Sequence, residues 1–174
     1  ISRNIAELDQ LIDEILLASR LDARETDLGT VESVDLTGLV AEECARHGAE
    51  LDVAAADAQV TVPGVPRLLR RLVRNLLENA RRYGDGTARV SVGHEGRLAV
   101  LRVSDRGPGV PQAERERIFE PFYRLPGASE REGGVGLGLA LVRSIAQRHG
   151  GDVHCGDAPG GGAQFTVRLP CNQL

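Results

Sequence analysis

Three clusters of residues in this chain have types and spacings suited to chemistry. The first is Asn75, Glu78, Asn79 and Arg82. At about 100° per residue, Asn75, Asn79 and Arg82 fall within roughly 60° of one another on a helix. They edge an apolar stripe centred on Leu72 and Leu76. Amide oxygens are hard ligands suited to Mg²⁺, and a guanidinium suits phosphate. The plain alternative is a partly buried polar edge satisfied by neighbouring backbone. The second cluster is Asp105-Arg106-Gly107-Pro108-Gly109, directly after an alternating, strand-like stretch. A carboxylate there can accept a hydrogen bond from an exocyclic amine, and Gly107 and Gly109 let the backbone approach a flat ligand. The alternative is an ordinary Asp-Gly turn. The third is Gly133-Gly134-Val135-Gly136-Leu137-Gly138-Leu139, which runs into a helical pattern. Free N–H groups and the positive dipole end of a helix suit a polyphosphate. The Lys-Ser/Thr ending of a Walker loop is missing, and no strand precedes the glycines, which counts against P-loop and Rossmann readings. The alternative is a flexible hinge.

Elements able to position these clusters can be read from hydrophobic period. Residues 1–22 form an amphipathic helix, with Ile5, Leu8, Ile12 and Ile15 at 3-4-3 spacing and Leu11, Leu16 and Leu17 widening the stripe. Such a face packs in a bundle or coiled coil, or else lies on its own domain. Residues 23–34 are charged and irregular and read as a linker. Asp35 or Thr37 caps a helix to about His47. A strand pair is expected near Glu50–Ala54 and Gln59–Val62, then a strong helix over 65–83. Ala88–Val92 and Leu98–Val103 alternate around His94-Glu95-Gly96 and read as a hairpin. The long Gly/Pro/charge-rich stretch 105–134 has the length of a functional loop. A helix from Gly136 to about His149 and strands Asp152–Cys155 and Gln164–Leu169 complete an α+β layer sandwich, with helices on one face of the sheet.

Composition excludes several function classes. The chain has 174 residues, 26% of them charged, with a formal net charge of −4, which argues against a nucleic-acid partner. Only 3% are aromatic, so a pocket here cannot rest on stacked rings. Cys44, Cys155 and Cys171 form no CxxC pair, which argues against a disulfide framework or zinc site. The sequence opens at Ile1 inside a helical pattern, and reads as part of something longer.

Order and spacing carry a resemblance. Leu76-Leu77-Glu78-Asn79-Ala80-Arg81-Arg82-Tyr83 resembles the N box of bacterial sensor histidine kinases, and Asp105–Gly109 their G1 box. Ile118-Phe119-Glu120-Pro121-Phe122-Tyr123-Arg124 resembles the F box, Gly134–Leu139 the G2 box, and Gly160–Phe165 the closing G3 segment. The boxes stand in the family's order across residues 75 to 170. The resemblance implies a two-layer sandwich of Bergerat (GHKL) type, a mixed sheet with helices on one face, preceded by one helix of a dimerisation hairpin. It divides the chain into residues 1–28, that helix plus linker, and 29–174, the ATP-binding catalytic domain, with a lid at about 110–134.

By position, the resemblance implies that Asn79 holds Mg²⁺ with Asn75 assisting. Arg82 and Tyr83 face the phosphates and nucleoside. Asp105 binds the adenine amine in a pocket shaped by Gly107 and Gly109. Phe119, Phe122 and Arg124 belong to the lid, with Arg124 reaching the γ-phosphate. Gly134, Gly136, Leu137 and Gly138 hinge the lid and frame the phosphates. Ala163 stands where the family often has Thr or Ser, which removes a hydroxyl contact. Hydrolytic relatives place a Glu one turn before the Mg-binding Asn, as base for water. Here Asn75 cannot accept that proton, so transfer to another nucleophile fits better. Among His47, His94, His149 and His154 only His94 precedes an acid, and it sits in a turn. The phosphoacceptor His is therefore expected on a helix that precedes residue 1. ATP and Mg²⁺ are the implied ligands. The implied partners are the phosphoacceptor helix, a response regulator and a second kinase subunit in a homodimer. The implied setting is the cytoplasmic side of a membrane-anchored parent. Alternatives are an anti-sigma-factor-type serine kinase of the same fold, or a non-catalytic nucleotide-binding scaffold.

Overall fold

The structure, a computed structural model, describes residues 2–22, 28–54, 58–84, 86–125 and 136–171. Its elements in order are α1 (Ser2–Asp22), β1 (Glu32–Asp35), α2 (Leu36–His47), β2 (Glu50–Asp52), β3 (Thr61–Gly64), α3 (Pro66–Tyr83), β4 (Arg89–Glu95) and β5 (Leu98–Ser104). After 3₁₀ turns at Gln112–Glu114 and Arg117–Phe119 come α4 (Gly138–Arg148), β6 (Asp152–Asp157) and β7 (Ala163–Pro170). Among the described residues no helix is long and apolar enough to cross a membrane.

Five strands form the main sheet in the order β2-β4-β5-β7-β6. All neighbours are antiparallel except β2 and β4, which run parallel, so the sheet is mixed. Strand period sorts its faces. Val90, Val92, Leu101, Val103, Phe165 and Val167 are buried, and register aligns them in cross-strand rows such as Val92–Leu101–Val167. The other face carries Arg102 and Arg168, both donating to Glu95 at 2.7 and 3.0 Å. These bonds hold the Glu95 carboxyl below the usual carboxylate range.

The helices cover the apolar face. α3 places Leu68, Leu69, Leu72, Val73, Leu76 and Leu77 in one core with Leu141, Val142 and Ile145 of α4 and Leu39 and Val40 of α2. Each fully buried side chain of this size contributes about 1.5–3 kcal/mol. Asp35 caps α2, its Oδ1 accepting from Gly38 N at 3.0 Å. Glu43, fully buried on α2, is neutralised by Arg74 Nε at 3.1 Å and by Arg70 and Arg46 at 3.5 and 3.6 Å. That charge cluster ties α2 to α3. Pro66 starts α3 because a first-turn residue needs no intrahelical N–H. His149 joins the end of α4 to the start of α3. Val65 N–H donates to its Nε2 at 3.1 Å and its Nδ1 lies 2.7 Å from Ile145 O. Nε2 must accept, so Nδ1 carries the proton.

Three local expectations are corrected. Residues 23–34 are not all linker, because Glu32–Asp35 is a strand. The strands near 50 and 60 do not pair with each other. β3 pairs antiparallel with β1, and β2 adds in parallel to β4. Periodicity marks a strand but not its partner, and the turn-like residues between these two suggested a hairpin that tertiary pairing overrides. α4 begins at Gly138, two residues later than expected.

α1 lies against α4, and its apolar stripe divides. Leu17 and Ala18 pack against the core and Leu21 is buried. Ile5, Leu8, Ile12, Ile15 and Leu16 remain exposed. The helix therefore lies on its own domain by one face and presents a second apolar face outward.

Candidate functional site

α1, α3, the end of β5, the segment after it and the start of α4 enclose a cavity of about 600 Å³. Asn75, Glu78, Asn79, Arg82 and Tyr83 reach it from α3, Asp105 and Gly109 from the β5 exit, and Gly136 and Gly138 from the start of α4. The three sequence clusters thus converge on one space. They do so because the helical period puts the α3 residues on the edge of its buried face, next to the carboxyl end of β5.

One end of the cavity is fixed by backbone. Asp105 is buried, and its N–H donates to Ala163 O at 2.9 Å. In return Ala163 N–H donates to Asp105 Oδ1 at 3.1 Å, and Gly107 N–H donates to the same oxygen at 2.9 Å. Oδ2 has no partner among the described residues, so one carboxylate oxygen is locked and the other is left for a donor. Gly107 does not line the cavity. It packs against the Tyr83 carbonyl, where a Cβ has no room, and so holds the β5 exit against the end of α3. Ile118, Tyr123, Val110, Ala163 and Phe165 complete this region with mostly apolar surface.

The other end is less constrained. Asn79 is half-buried and its side chain has no partner among the described residues. Asn75 is buried, and its Nδ2 donates to Gly138 O at 3.2 Å, which pins α3 to the first turn of α4 and leaves Oδ1 as an oxygen donor. Arg82 is exposed at the rim and Arg124 lies on the wall. Gly136 has φ +83° and its carbonyl accepts from Phe122 N–H at 2.9 Å, so the left-handed turn ahead of α4 is tied to the segment after β5. Two amide side chains and two guanidiniums are a donor set for a polyphosphate with a hard cation. Among the described residues, no group of three His, Cys, Asp or Glu side chains converges as a metal cage. A cation here needs oxygens from a ligand as well.

Residues 110–125 are well anchored. Arg115 bonds Asp157 at 2.7 Å and Val110 O at 3.0 Å, and Arg143 of α4 bonds Glu116 at 3.0 Å. Phe119, expected at the lid wall, is turned into the core instead. It meets Phe165 edge-on at 6.2 Å and lies under the Arg143 guanidinium at 5.2 Å. In a chain this poor in aromatics, burying that ring gains more than exposing it at a rim. Phe122 is exposed. Leu137 is buried ahead of α4 and does not line the cavity. Gly134, and the expected lid from 126 onward, lie outside the described residues.

Sequence reasoning did not single out several wall residues. Tyr123 donates its hydroxyl to Glu114, and that bond raises the phenol above its ordinary range. Leu8, Gln10, Leu11 and Glu14 of α1 also line the cavity. The signal for Phe165 was its place in the alternation of β7, but nothing local tied α1 to the site. Burial pushes the thiols of Cys44 and Cys155 up to about 11 and raises Cys171, and none of the three lines the cavity.

The family described as histidine kinase-, DNA gyrase B-, and HSP90-like ATPase matches residues 64–173. The sensor histidine kinase GtrS of Pseudomonas aeruginosa is 41% identical over 94% of this chain and 34% of its own length. The solved mycobacterial sensor histidine kinase MprB is 30% identical, with a TM-score of 0.67, over 83% of this chain and all of that one. Full-length ShkA, solved in complex with AMPPNP, is 28% identical with a TM-score of 0.76, over 96% of this chain and 36% of its own. The chain spans well under half the length of the curated relatives it matches.

Proposed function

This chain belongs to the histidine kinase-, DNA gyrase B- and HSP90-like ATPase family, as the ATP-binding catalytic domain of a sensor histidine kinase, and we propose that it binds Mg-ATP in the cavity beside α3 and passes the γ-phosphoryl group to a histidine on a dimerisation helix. One observation carries the reading: Asp105 has one oxygen locked by two backbone N–H groups and the other unpartnered, in a cavity it shares with Asn79, Arg82 and the start of α4. An adenine amine satisfies the free oxygen, whereas a guanine carbonyl opposes it.

In the reaction, an imidazole nitrogen bonds to the γ-phosphorus as the bond from phosphorus to the β–γ bridging oxygen breaks. ADP leaves with that oxygen, and the imidazole proton passes to a carboxylate beside the acceptor histidine. Arg82 and Arg124 stabilise charge on the transferring group, while Tyr83 flanks the nucleoside. Asn79, assisted by Asn75, is the oxygen donor placed to hold Mg²⁺, which when bound neutralises the phosphate oxygens. The domain works mainly by positioning and by prepaid electrostatics. Residues 1–28 serve as the second helix of the dimerisation hairpin with its linker, and 29–174 as the catalytic domain with its lid at 110–134. In the whole protein the partners are the acceptor helix, a second kinase subunit and a response regulator that takes the phosphoryl group onto an Asp. The setting is the cytoplasmic side of a membrane-anchored parent.

The test is nucleotide titration with and without Mg²⁺, followed by labelling with ATP after adding the acceptor helix in cis or in trans. The expected result is Mg-dependent ATP binding, and a label that acid removes and base preserves. An acid-stable label would move the assignment to serine transfer.

A further inference from the structure

Asp105 can read a base only if its free oxygen keeps one direction, and the carboxylate is held from two sides. Gly107 N–H reaches Oδ1 from the turn after β5, and Ala163 N–H reaches it from the start of β7. The second holder hangs on a loose loop. Between β6 and β7, Gly160, Gly161 and Gly162 all have positive φ, and such a run is conformationally permissive. Any shift of that loop is felt at the site, because Gly162 lies so close to the Asp105 carbonyl that a Cβ has no room. Arg115 ties the two sides together. Its Nε donates to Val110 O at 3.0 Å, and its Nη2 donates to Asp157 Oδ1 at 2.7 Å. Val110 follows the Gly107–Gly109 turn and lines the cavity, while Asp157 ends β6 as the register partner of Ala163. We propose that Arg115 is a positioning residue for base selection, which holds the Gly107 and Ala163 sides at the spacing that aims the free oxygen of Asp105.

The proposal rests on the reading that this cavity binds ATP through Asp105. Its physical basis is the shape of the guanidinium. Nε and Nη2 lie in one rigid plane, so two bonds made at once fix the distance between Val110 and Asp157. Arg115 itself is mostly buried, whereas Asp157 is 80% exposed. An ion pair with so exposed a partner adds little to global stability, so its loss is felt as lost aim and not as unfolding. The loss is also selective. ATP presents an amine to the free oxygen and depends on that bond being straight. GTP presents a carbonyl there, which gains nothing from good aim and loses nothing from poor aim.

The experiment uses the whole 174-residue chain with Mg²⁺ and a fluorescent ATP analogue, displaced by ATP and by GTP, alongside thermal melts. Arg115→Ala should weaken ATP about three- to ten-fold, short of losing a whole charge-assisted bond, and leave GTP within about twofold, so the ratio of the two affinities shrinks. Asp157→Ala should move the ratio the same way with little change in melting temperature. Asp157→Asn keeps an oxygen for the guanidinium and should restore the wild-type ratio. Combining Arg115→Ala with Asp157→Ala should add little to Arg115→Ala alone, because both cut one link. Equal weakening of ATP and GTP, or a ratio that neither alanine variant changes, would overturn the proposal and leave Arg115 a structural tie. If Arg115→Ala does not fold, the two Asp157 variants decide. If Asp105→Asn lowers the ratio while the alanine variants do not, the positioning role fails and base selection by Asp105 stands. If wild type binds no nucleotide, or binds ATP and GTP alike, both fail.

Discussion

The two ends of the cavity are built on opposite principles. At the Asp105 end, one carboxylate oxygen is locked by the Gly107 and Ala163 N–H groups, and the other has no partner among the described residues. At the Asn79 end, the side chains that could meet a phosphate lie on a helix edge and a rim, and one wall is a helix with half its apolar surface outside. Under the proposed function, the first end is preformed and would select the base, and the second is completed by the ligand and would serve the phosphates. A base is neutral and rigid, so a preformed slot costs nothing to keep. A triphosphate with a metal brings its own charges and ligands, so a fully satisfied protein site would only have to be taken apart to admit it.

The sharpest way to break this contrast is at Asn79. Asn79→Ala should reduce phosphoryl transfer by about a hundredfold or more, on the scale of removing one preorganised group from a transition state. Alanine is the better helix former, so thermal unfolding should be unchanged or slightly later. Nucleotide binding should persist but lose its Mg²⁺ dependence. Transfer at the wild-type rate would show that the open end needs no protein ligand at this position.

The preformed end should respond differently. Asp105→Asn keeps an oxygen for the Gly107 and Ala163 N–H groups, but turns the free position into a donor facing a donor. Binding should weaken by about 1.5–3 kcal/mol, roughly ten- to a hundred-fold, with little change in melting temperature. In wild type GTP should compete poorly. Equal affinity for ATP and GTP, measured by competition, would mean that the locked oxygen does not select.

Legibility from sequence follows the same division. The preformed end could be read in part because a strand, an acid and two glycines stand together within residues 98–109, but its second backbone donor, Ala163 of β7, left no local mark. Asn79 and Arg82 could be read because helical period alone places them. What could not be read depended on partners far along the chain. β1 and β3 pair across an intervening helix, and β2 joins β4 in parallel across α3, neither of which leaves a local mark. Phe119 shared the motif of a lid, but its burial was decided by Phe165 and Arg143, on elements remote in sequence. The stripe of α1 showed that the helix had to be covered, and only packing showed that Leu11 and Leu17 took one side and Ile12 and Ile15 the other.

The smallest effect is expected in the floor that both ends share, and it tests whether they can be weakened together. α3 and α4 are joined at their far ends by His149, whose Nε2 accepts from Val65 N–H while Nδ1–H donates to Ile145 O. The neutral ring satisfies both partners, and a protonated ring would set an N–H against the Val65 N–H. Burial, aided by Arg148 and opposed by the Ile145 bond, holds the imidazole below its ordinary value of 6.5. For a group whose folded pKa is depressed, the unfolded chain binds the proton first as pH falls. The stabilisation is therefore fully present above about 6.5 and is lost as pH drops through the folded value. Melting temperature should fall below that point before the carboxylates titrate. His149→Gln keeps a neutral acceptor for Val65 N–H and should flatten the decline, whereas His149→Ala should cost about 1–3 kcal/mol at every pH by leaving a buried donor unpaired. The gap between Gly64 and the ring is too small for a Cβ, so the site admits little rearrangement to compensate. If the variant with Gln keeps the full acid-side decline, the pH sensitivity lies elsewhere, and the ring is a spacer between the two helices.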